Sequence, residues 1–445
     1  MSHVFHRTPA RTLPRIVAAQ GLRMTDADGR TYLDAVSGGA AVSSIGHGDP
    51  RITDAITAQL GQVAYAHNGF FTSDAAEELA DTLIAGAPEG LSRVIYCSGG
   101  SEAIESALKL ARQTFVERGQ PGKGKVIARR QSYHGATMGA LSIGGNVPRK
   151  APYAPMLFDA PLIAPCYPYR DQAEGETLEA YAIRAADALE EQILAEGPET
   201  VAAFVAEPVV GATLGCVPAA PGYLKRIREI CDRYDVLLVF DEVMCGGGRT
   251  GFAFACLEDG GSPDILVIAK GLGGGYQPIG AVLASQAIVD TIVDGSGSLK
   301  QGFTYMAHPV ACAAALAVQK VIAEDGLVEA AAARGAQLRA GLDAAFGQHP
   351  HVGNIRGRGL FQGLEFVADR ETKAPFDPSL AFNARLKANA FADGLMVYPM
   401  PGTIDGINGD HVVLAPAFVA TAADIDEIVE RLAVAIDRTV QEINA

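Results

Sequence analysis

Four short segments carry side chains whose types and spacing could do chemistry. The first, Cys97-Ser-Gly-Gly-Ser-Glu-Ala103, ends a strand-like run and opens an amphipathic one. A helix starting there would aim free N–H groups and its positive dipole end at an anion, and adjacent glycines would let a phosphate come close. The same residues also read as an ordinary serine N-cap. In the second segment, the apolar run 236–240 delivers Asp241 and Glu242 to the C-terminal end of a strand, the edge where ligands sit in open α/β sheets. A carboxylate there can pair with a protonated ring nitrogen, or cap the following turn. The third, Ile265-Leu-Val-Ile-Ala-Lys270-Gly271, sets a lysine directly after an apolar strand. Desolvation and nearby cations lower the pKa of such an amine and make it nucleophilic toward aldehydes. A strand-end lysine that snorkels to solvent is the plainer reading. The fourth, Gln131-Ser-Tyr133-His134-Gly135, puts an aromatic ring beside a glycine, which suits stacking over a planar heterocycle or simple core packing.

Positioning these groups requires alternating strands and helices, and the middle of the chain has that pattern. Residues 101–116 place Ile104, Ala107, Leu108, Ala111 and Phe115 on one helical face. The runs 126–128, 201–206, 236–240 and 265–268 are β-branched, and several are apolar on both faces, as strands inside a parallel sheet are. The alternation predicts an α/β domain. Later the character changes. Helical stretches over 311–346 lead into short strands near 360–367 and 394–398, and the chain closes with a helix bearing Ile425, Ile428, Val429, Leu432, Ile436 and Val440 on one face. The expected organisation is a small-domain segment at 1–60, a large domain at 61–325, and the rest of the small domain at 326–445.

Composition removes several function classes. Lys and Arg number 36 against 51 Asp and Glu, a formal net charge of −15. Such a chain repels phosphate backbones and anionic lipid heads, so neither nucleic acid nor a membrane surface is an expected partner. The 7 cysteines are scattered without C-x-x-C spacing, which argues against disulfides and structural zinc and for a reducing cytoplasm. The 9 histidines show no metal-ligand spacing. The N-terminal stretch MSHVFHRTPARTLPR lacks the apolar core of a secretion signal. The least polar window, 201–220, holds Glu207, Pro208 and Pro218, which suits a buried strand and turn better than a membrane helix. Gly119-Gln-Pro-Gly-Lys-Gly124-Lys125 approximates a phosphate-binding P-loop, but Val126 stands where Ser or Thr is needed, so it reads as a solvated turn. Gly271-Leu-Gly273-Gly-Gly-Tyr276 has tyrosine in place of the last glycine of a dinucleotide fingerprint and is set aside.

A phosphate anchor, a stacking aromatic, a strand-end Asp and a strand-end Lys follow one another in that order. On these residues the chain resembles the class III aminotransferases, pyridoxal-phosphate enzymes of fold type I. The resemblance runs from Asp28-Gly-Arg-Thr-Tyr-Leu-Asp34 and Gly46-His-Gly-Asp-Pro50 to the C-terminal helix. It is densest from Leu238-Val-Phe-Asp-Glu-Val243 through Gly248-Arg-Thr-Gly251 to Ala269-Lys270-Gly271. It implies an α/β fold with a large domain around a mostly parallel seven-stranded sheet and a smaller α+β domain drawn from both chain ends. By the same resemblance, Lys270 would bond the cofactor aldehyde and shuttle protons, and Asp241 would keep the pyridinium nitrogen protonated. Gly100 and Ser101 would hold the phosphate, and Tyr133, with His134 beside it, would stack on one ring face while Val243 packs on the other. Glu207, in Ala206-Glu-Pro208, would lie near the cofactor, and Thr304, in Gly302-Phe-Thr-Tyr-Met-Ala-His-Pro309, would reach the phosphate of a neighbouring subunit. A homodimer, or a tetramer built from dimers, is therefore implied. Arg249 and Arg358 match family arginines that read as structural. The implied reaction is a ping-pong transfer of an amino group from an amine or ω-amino acid to a keto acid such as pyruvate. A pyridoxal-phosphate isomerase or racemase, or a decarboxylase of dialkylglycine type, are the alternatives. A cofactor binder without turnover is disfavoured by the intact Lys270, Asp241 and phosphate cradle.

Two departures bear on the substrate. Amine transaminases of the family often carry Gly-Leu-Trp near the N-terminus, where the Trp narrows the pocket. Here the matching stretch is Gly38-Gly-Ala40 and the chain has no Trp, which predicts a larger or differently shaped pocket. Many relatives also place an arginine shortly before a Pro-Pro pair near the C-terminus to bind a substrate carboxylate. Residues 402–417 hold no arginine, the second proline is Ala417, and His411 is the candidate left in that stretch. Residues 65–71, YAHNGFF, line the pocket entrance or pack an interface.

Overall fold

Seven strands form the central sheet in the computed structural model, which describes residues 3–445. They are β1 (Leu91–Cys97), β2 (Lys125–Arg129), β3 (Leu162–Ile163), β4 (Val201–Ala206), β5 (Leu237–Asp241), β6 (Ile265–Ala269) and β7 (Gly280–Ser285). Their spatial order is β1-β7-β6-β5-β4-β2-β3. Strand β7 runs antiparallel to both neighbours, and the other pairs are parallel. Every residue of β4, β5 and β6 is buried, as their two-faced apolar sequences require. In the β5–β6 register Asp241 stands opposite Val267, so Asp241 and the residue just past β6, Lys270, leave the sheet at one edge.

Six helices matter here: α1 (Pro50–Gln62), α2 (Asp74–Ala85), α3 (Gly100–Glu117), α4 (Pro309–Glu324), α5 (Leu327–Phe346) and α6 (Ala422–Asn444). Helix α3 buries Ile104, Ala107, Ala111 and Phe115, with Leu108 partly covered, against Val205, Val239, Val267 and Val282 of the sheet. Truncating a fully buried ring such as Phe115 to Ala costs about 3–5 kcal/mol. Helix α6 starts with a reciprocal cap, in which Thr421 Oγ1 accepts from Asp424 N and Asp424 Oδ2 accepts from Thr421 N. Ile425, Ile428, Leu432 and Ile436 are fully buried along it, and Val429 and Val440 are partly so.

A second core joins residues between 22 and 52 to residues between 314 and 436. Two four-stranded sheets cover it. One is ordered Val352–Arg358, Phe361–Phe366, Asp410–Leu414, Tyr398–Pro401. The other takes Ile16–Gln20, Arg23–Asp26 and Thr31–Asp34 from one chain end and Leu395–Met396 from the other, with Leu395 beside Leu33. The smaller part of the fold is thus built from both chain ends. Helix α4 serves both cores. Ala311, Cys312, Ala315 and Leu316 enter the first, and Ala314, Val318, Val321 and Ile322 enter the second.

One expectation is met and two points differ. The helical stretches expected over 311–346 are α4 and α5, divided where Gly326 takes a positive φ of 60°. The strands Val352–Arg358 and Asp410–Leu414 were not expected. The turn at 119–125 is not solvated at its centre. Lys123 is buried, and its Nζ donates to the carbonyls of Pro198, Val201, Tyr234 and Asp235 at 3.1, 3.2, 3.1 and 2.7 Å. Among the described residues no helix is long and apolar enough to cross a membrane.

Candidate active site

The C-terminal ends of β5 and β6 and the start of α3 open on one cavity of about 390 Å³. Gly100, Ser101, Tyr133, His134, Glu207, Asp241, Val243 and Lys270 all line it. Segments far apart in sequence meet there because the ends of β4, β5 and β6 and the start of α3 share an edge of the sheet.

Lys270 sits in the left-handed region with φ 46°, a conformation that costs a non-glycine residue about 1–3 kcal/mol. The turn after it holds it in place, with the N–H groups of Gly273 and Gly274 each donating to Lys270 O at 3.1 Å. Its ammonium makes no hydrogen bond or ion pair among the described residues. Burial lowers its pKa to about 8, against the opposing pull of Asp241 and Glu207. An amine so placed is available as a nucleophile near neutral pH.

Asp241 is fixed through both oxygens. Oδ2 accepts from His134 Nδ1 at 2.8 Å and Oδ1 accepts from Val243 N at 3.0 Å. Glu207 accepts from Tyr133 N at 3.1 Å and from Gly211 N at 2.9 Å. Burial pushes its pKa up; His134 opposes that shift and Asp241 adds to it. The neighbouring Glu242 turns the other way. It accepts from Ala255 N at 2.6 Å and Cys256 N at 2.8 Å, and burial raises it to about 7.

Ser101 is not a helix cap. Gly99 holds the N-cap position of α3 and no side chain caps the helix. Ser101 Oγ instead accepts from Ala136 N at 3.0 Å, which draws the loop bearing Tyr133 and His134 onto the helix start. The first turn of α3 therefore keeps N–H groups for an anion. A Cβ on Gly100 would stand 2.9 Å from Val243 Cγ1, so the approach of Val243 to the cradle needs glycine there.

Other expected residues lie elsewhere. Thr304 is exposed and does not line this cavity; its carbonyl accepts from Tyr65 Oη at 2.7 Å. Residues 65–71 do not line it either, and Phe70 and Phe71 are 81% and 67% exposed. Arg249 is structural: it donates to Leu360 O at 3.3 Å, to Pro416 O and to Ser37 Oγ at 3.1 Å. Arg358 is clamped by Asp259 at 2.7 and 3.0 Å. His411 cannot be the carboxylate anchor. It is fully buried away from the cavity, with Nε2 donating to Ala212 O at 3.1 Å and Nδ1 taking the Thr403 hydroxyl proton at 2.7 Å. Burial depresses it to about 3, so it carries no charge to offer. Val42, Met244, Gln277 and Pro278 line the cavity without having been expected, because loop residues outside any motif give no sequence signal.

Residues 5–436 match the family described as Aminotransferase class-III. The chain belongs to the class III aminotransferases. This aminotransferase is 44% identical over 440 residues to an uncharacterized aminotransferase of Schizosaccharomyces pombe, covering 99% of this chain and 96% of the other. It is 36% identical over 447 residues to the taurine–pyruvate aminotransferase of Rhodobacter capsulatus, covering 98% and 95%. Its backbone matches the omega transaminase of Pseudomonas jessenii in complex with PMP, with a TM-score of 0.92, 34% identity and coverage of 99% and 97%. A thermostable omega transaminase variant with tryptophan replaced by glycine, engineered for asymmetric synthesis of enantiopure bulky amines, matches at 0.92 and 35%, covering 99% and 98%.

Class III aminotransferases use pyridoxal phosphate. The site fits that group: an uncapped helix start for the phosphate, an unpaired amine, a braced carboxylate and an aromatic ring face one cavity of suitable size.

Proposed function

We propose that this aminotransferase moves an amino group from a primary amine or an ω-amino acid to a keto acid such as pyruvate, one substrate after the other. The observation that carries the reading is Lys270, an amine lowered to about 8 in a cavity that Asp241 also lines. Bound there, pyridoxal phosphate supplies an aldehyde for amines and a ring that withdraws electrons. In this reading Gly100 and Ser101 hold the phosphate with backbone N–H groups at the start of α3. Tyr133 and Val243, which both line the cavity, would cover the two ring faces, and Asp241, braced by His134, would keep the ring nitrogen protonated. Lys270 Nζ, which lines the cavity, would take the proton from the amine-bearing carbon of the donor and deliver it across the nitrogen to the carbon that the cofactor brings as its aldehyde. Glu207 lies within the same buried cluster, close enough to favour the charged form of Lys270.

Two copies of the chain complete the site in this reading, with Thr304 of each reaching the phosphate held by the other. The exposed aromatic ridge of Tyr65, Phe70, Phe71 and Tyr305 supports such a face. The 7 cysteines, all free and buried, support a reducing cytoplasm.

The test is the visible spectrum of purified protein titrated with amines and amino acids in the absence of keto acid. Fading of the bound-cofactor absorption, and its return with pyruvate, supports the reading. Persistence of the absorption while a substrate racemises or rearranges overturns it in favour of an isomerase, and release of carbon dioxide from the donor as the absorption fades overturns it in favour of a decarboxylase.

A further inference from the structure

The turn at 402–409, between Tyr398–Pro401 and Asp410–Leu414, has no basic side chain, and the expected stand-in His411 is neutral and buried. A different arginine reaches the neighbourhood from the segment packed on that turn. A Cβ on Gly406 would stand 3.0 Å from Val147 Cγ2, and Gln131 donates to the carbonyl of Gly402. Just beyond Val147 lies Arg149. Its guanidinium carbon is 4.7 Å from the centre of the Tyr133 ring, and Tyr133 lines the cavity.

Other arginines around the site are committed. Arg129 donates to Glu207 O at 2.5 Å, Arg249 donates to backbone carbonyls, and Arg170 and Arg356 both pair with Glu365. Arg149 is half-buried, and among the described residues its guanidinium has neither a hydrogen bond nor a carboxylate partner. Holding a guanidinium on an aromatic face leaves its N–H edge free for an anion. Its charge also opposes protonation of Lys270, so the two cations share one neighbourhood.

We propose that Arg149 is the carboxylate-binding residue of this enzyme, taking the carboxylate of the keto acid in its planar fork while the keto carbon faces Lys270. The inference rests on the reading that the acceptor is a keto acid. A guanidinium at this place does for this chain what an arginine on the 402–409 turn would do, and it arrives on the neighbouring segment, whose Val147 packs against Gly406 of that turn.

The test measures the two half-reactions separately in the holoenzyme, with a primary amine lacking a carboxylate as donor and pyruvate as acceptor, and adds propionate as a competitor of pyruvate. Arg149→Gln is expected to raise the KM for pyruvate and the inhibition constant of propionate about 10- to 100-fold, the worth of a charged hydrogen-bonded pair. The loss in the acceptor half-reaction should exceed that in the donor half-reaction by the same order. Arg149→Lys, which keeps the charge but not the fork, should recover part of it and carries the test if the glutamine variant loses its cofactor. Equal losses in both half-reactions, or unchanged propionate binding, overturn the assignment. Failure of the unsubstituted enzyme to respond to pyruvate instead overturns the keto-acid reading itself.

Discussion

Nδ1 of His134 lies 2.8 Å from Oδ2 of Asp241, and both side chains are almost wholly buried. A carboxylate oxygen accepts, so Nδ1 carries the proton and donates. With Val243 N on the other oxygen, the plane of the carboxylate is set by two donors that have no other task. His134→Leu is therefore expected to lower turnover about 10- to 100-fold, the worth of a hydrogen bond to a charged group. His134→Asn, which keeps a donor, should lose less. Steady-state kinetics with the amine held at saturation checks both, and equal losses would reduce His134 to a space-filler.

The amine of Lys270, lowered to about 8 by burial, must be unprotonated to attack an aldehyde. Uptake of pyridoxal phosphate by the apoprotein should accordingly rise about tenfold per pH unit below 8 and level off above it. Asp241→Asn removes a charge that favours the ammonium, so the break should move to lower pH. Stopped-flow absorbance reads the rate. A break near the ordinary lysine value of 10.5 would contradict the description of the site.

Lys123 holds together four backbone carbonyls from two separate segments beside the central sheet. Lys123→Met keeps the apolar stem and strips the carbonyls of their donor. It should lower stability by about 3 kcal/mol, because more than one buried acceptor loses its partner. Activity in the cold should survive. Chemical denaturation monitored by circular dichroism checks the first expectation, and a transamination assay checks the second.

Ala40 is half-buried and lies close in sequence to Val42, which lines the cavity. With no Trp anywhere in the chain, bulky amines should compete well against small ones for the cofactor. Ala40→Trp should reverse the preference by about 10- to 200-fold in kcat/KM, the range that one pocket contact commands. A strict preference of the unsubstituted enzyme for the smallest donors would remove the argument.

Strands β4, β5 and β6 were legible because each is an unbroken apolar run, and their ends put Glu207, Asp241 and Lys270 in view with them. Val352–Arg358 and Asp410–Leu414 were not. Gly353, Arg356, Gly357 and Arg358 break any alternation, and Asp410 and His411 look polar although both are buried by partners far away in sequence. The role of Lys123 was invisible for the same reason, since its carbonyls come from residues 75 to 112 positions away. Ser101 looked like a cap because composition cannot tell the first helical residue from the second. Arg149 belongs to no motif, and only folding sets it on the ring of Tyr133.

Helix α4 lends one stripe to the central sheet and another to the core made from the chain ends. A fragment that stops before Pro309 leaves the seat of Cys312 open. A fragment that ends with the helix carries Val318 and Val321 bare into water. Neither portion is self-sufficient at this junction, so the two cores should melt as one cooperative event, and a split at the α4–α5 turn should be rescued only when both pieces are present together.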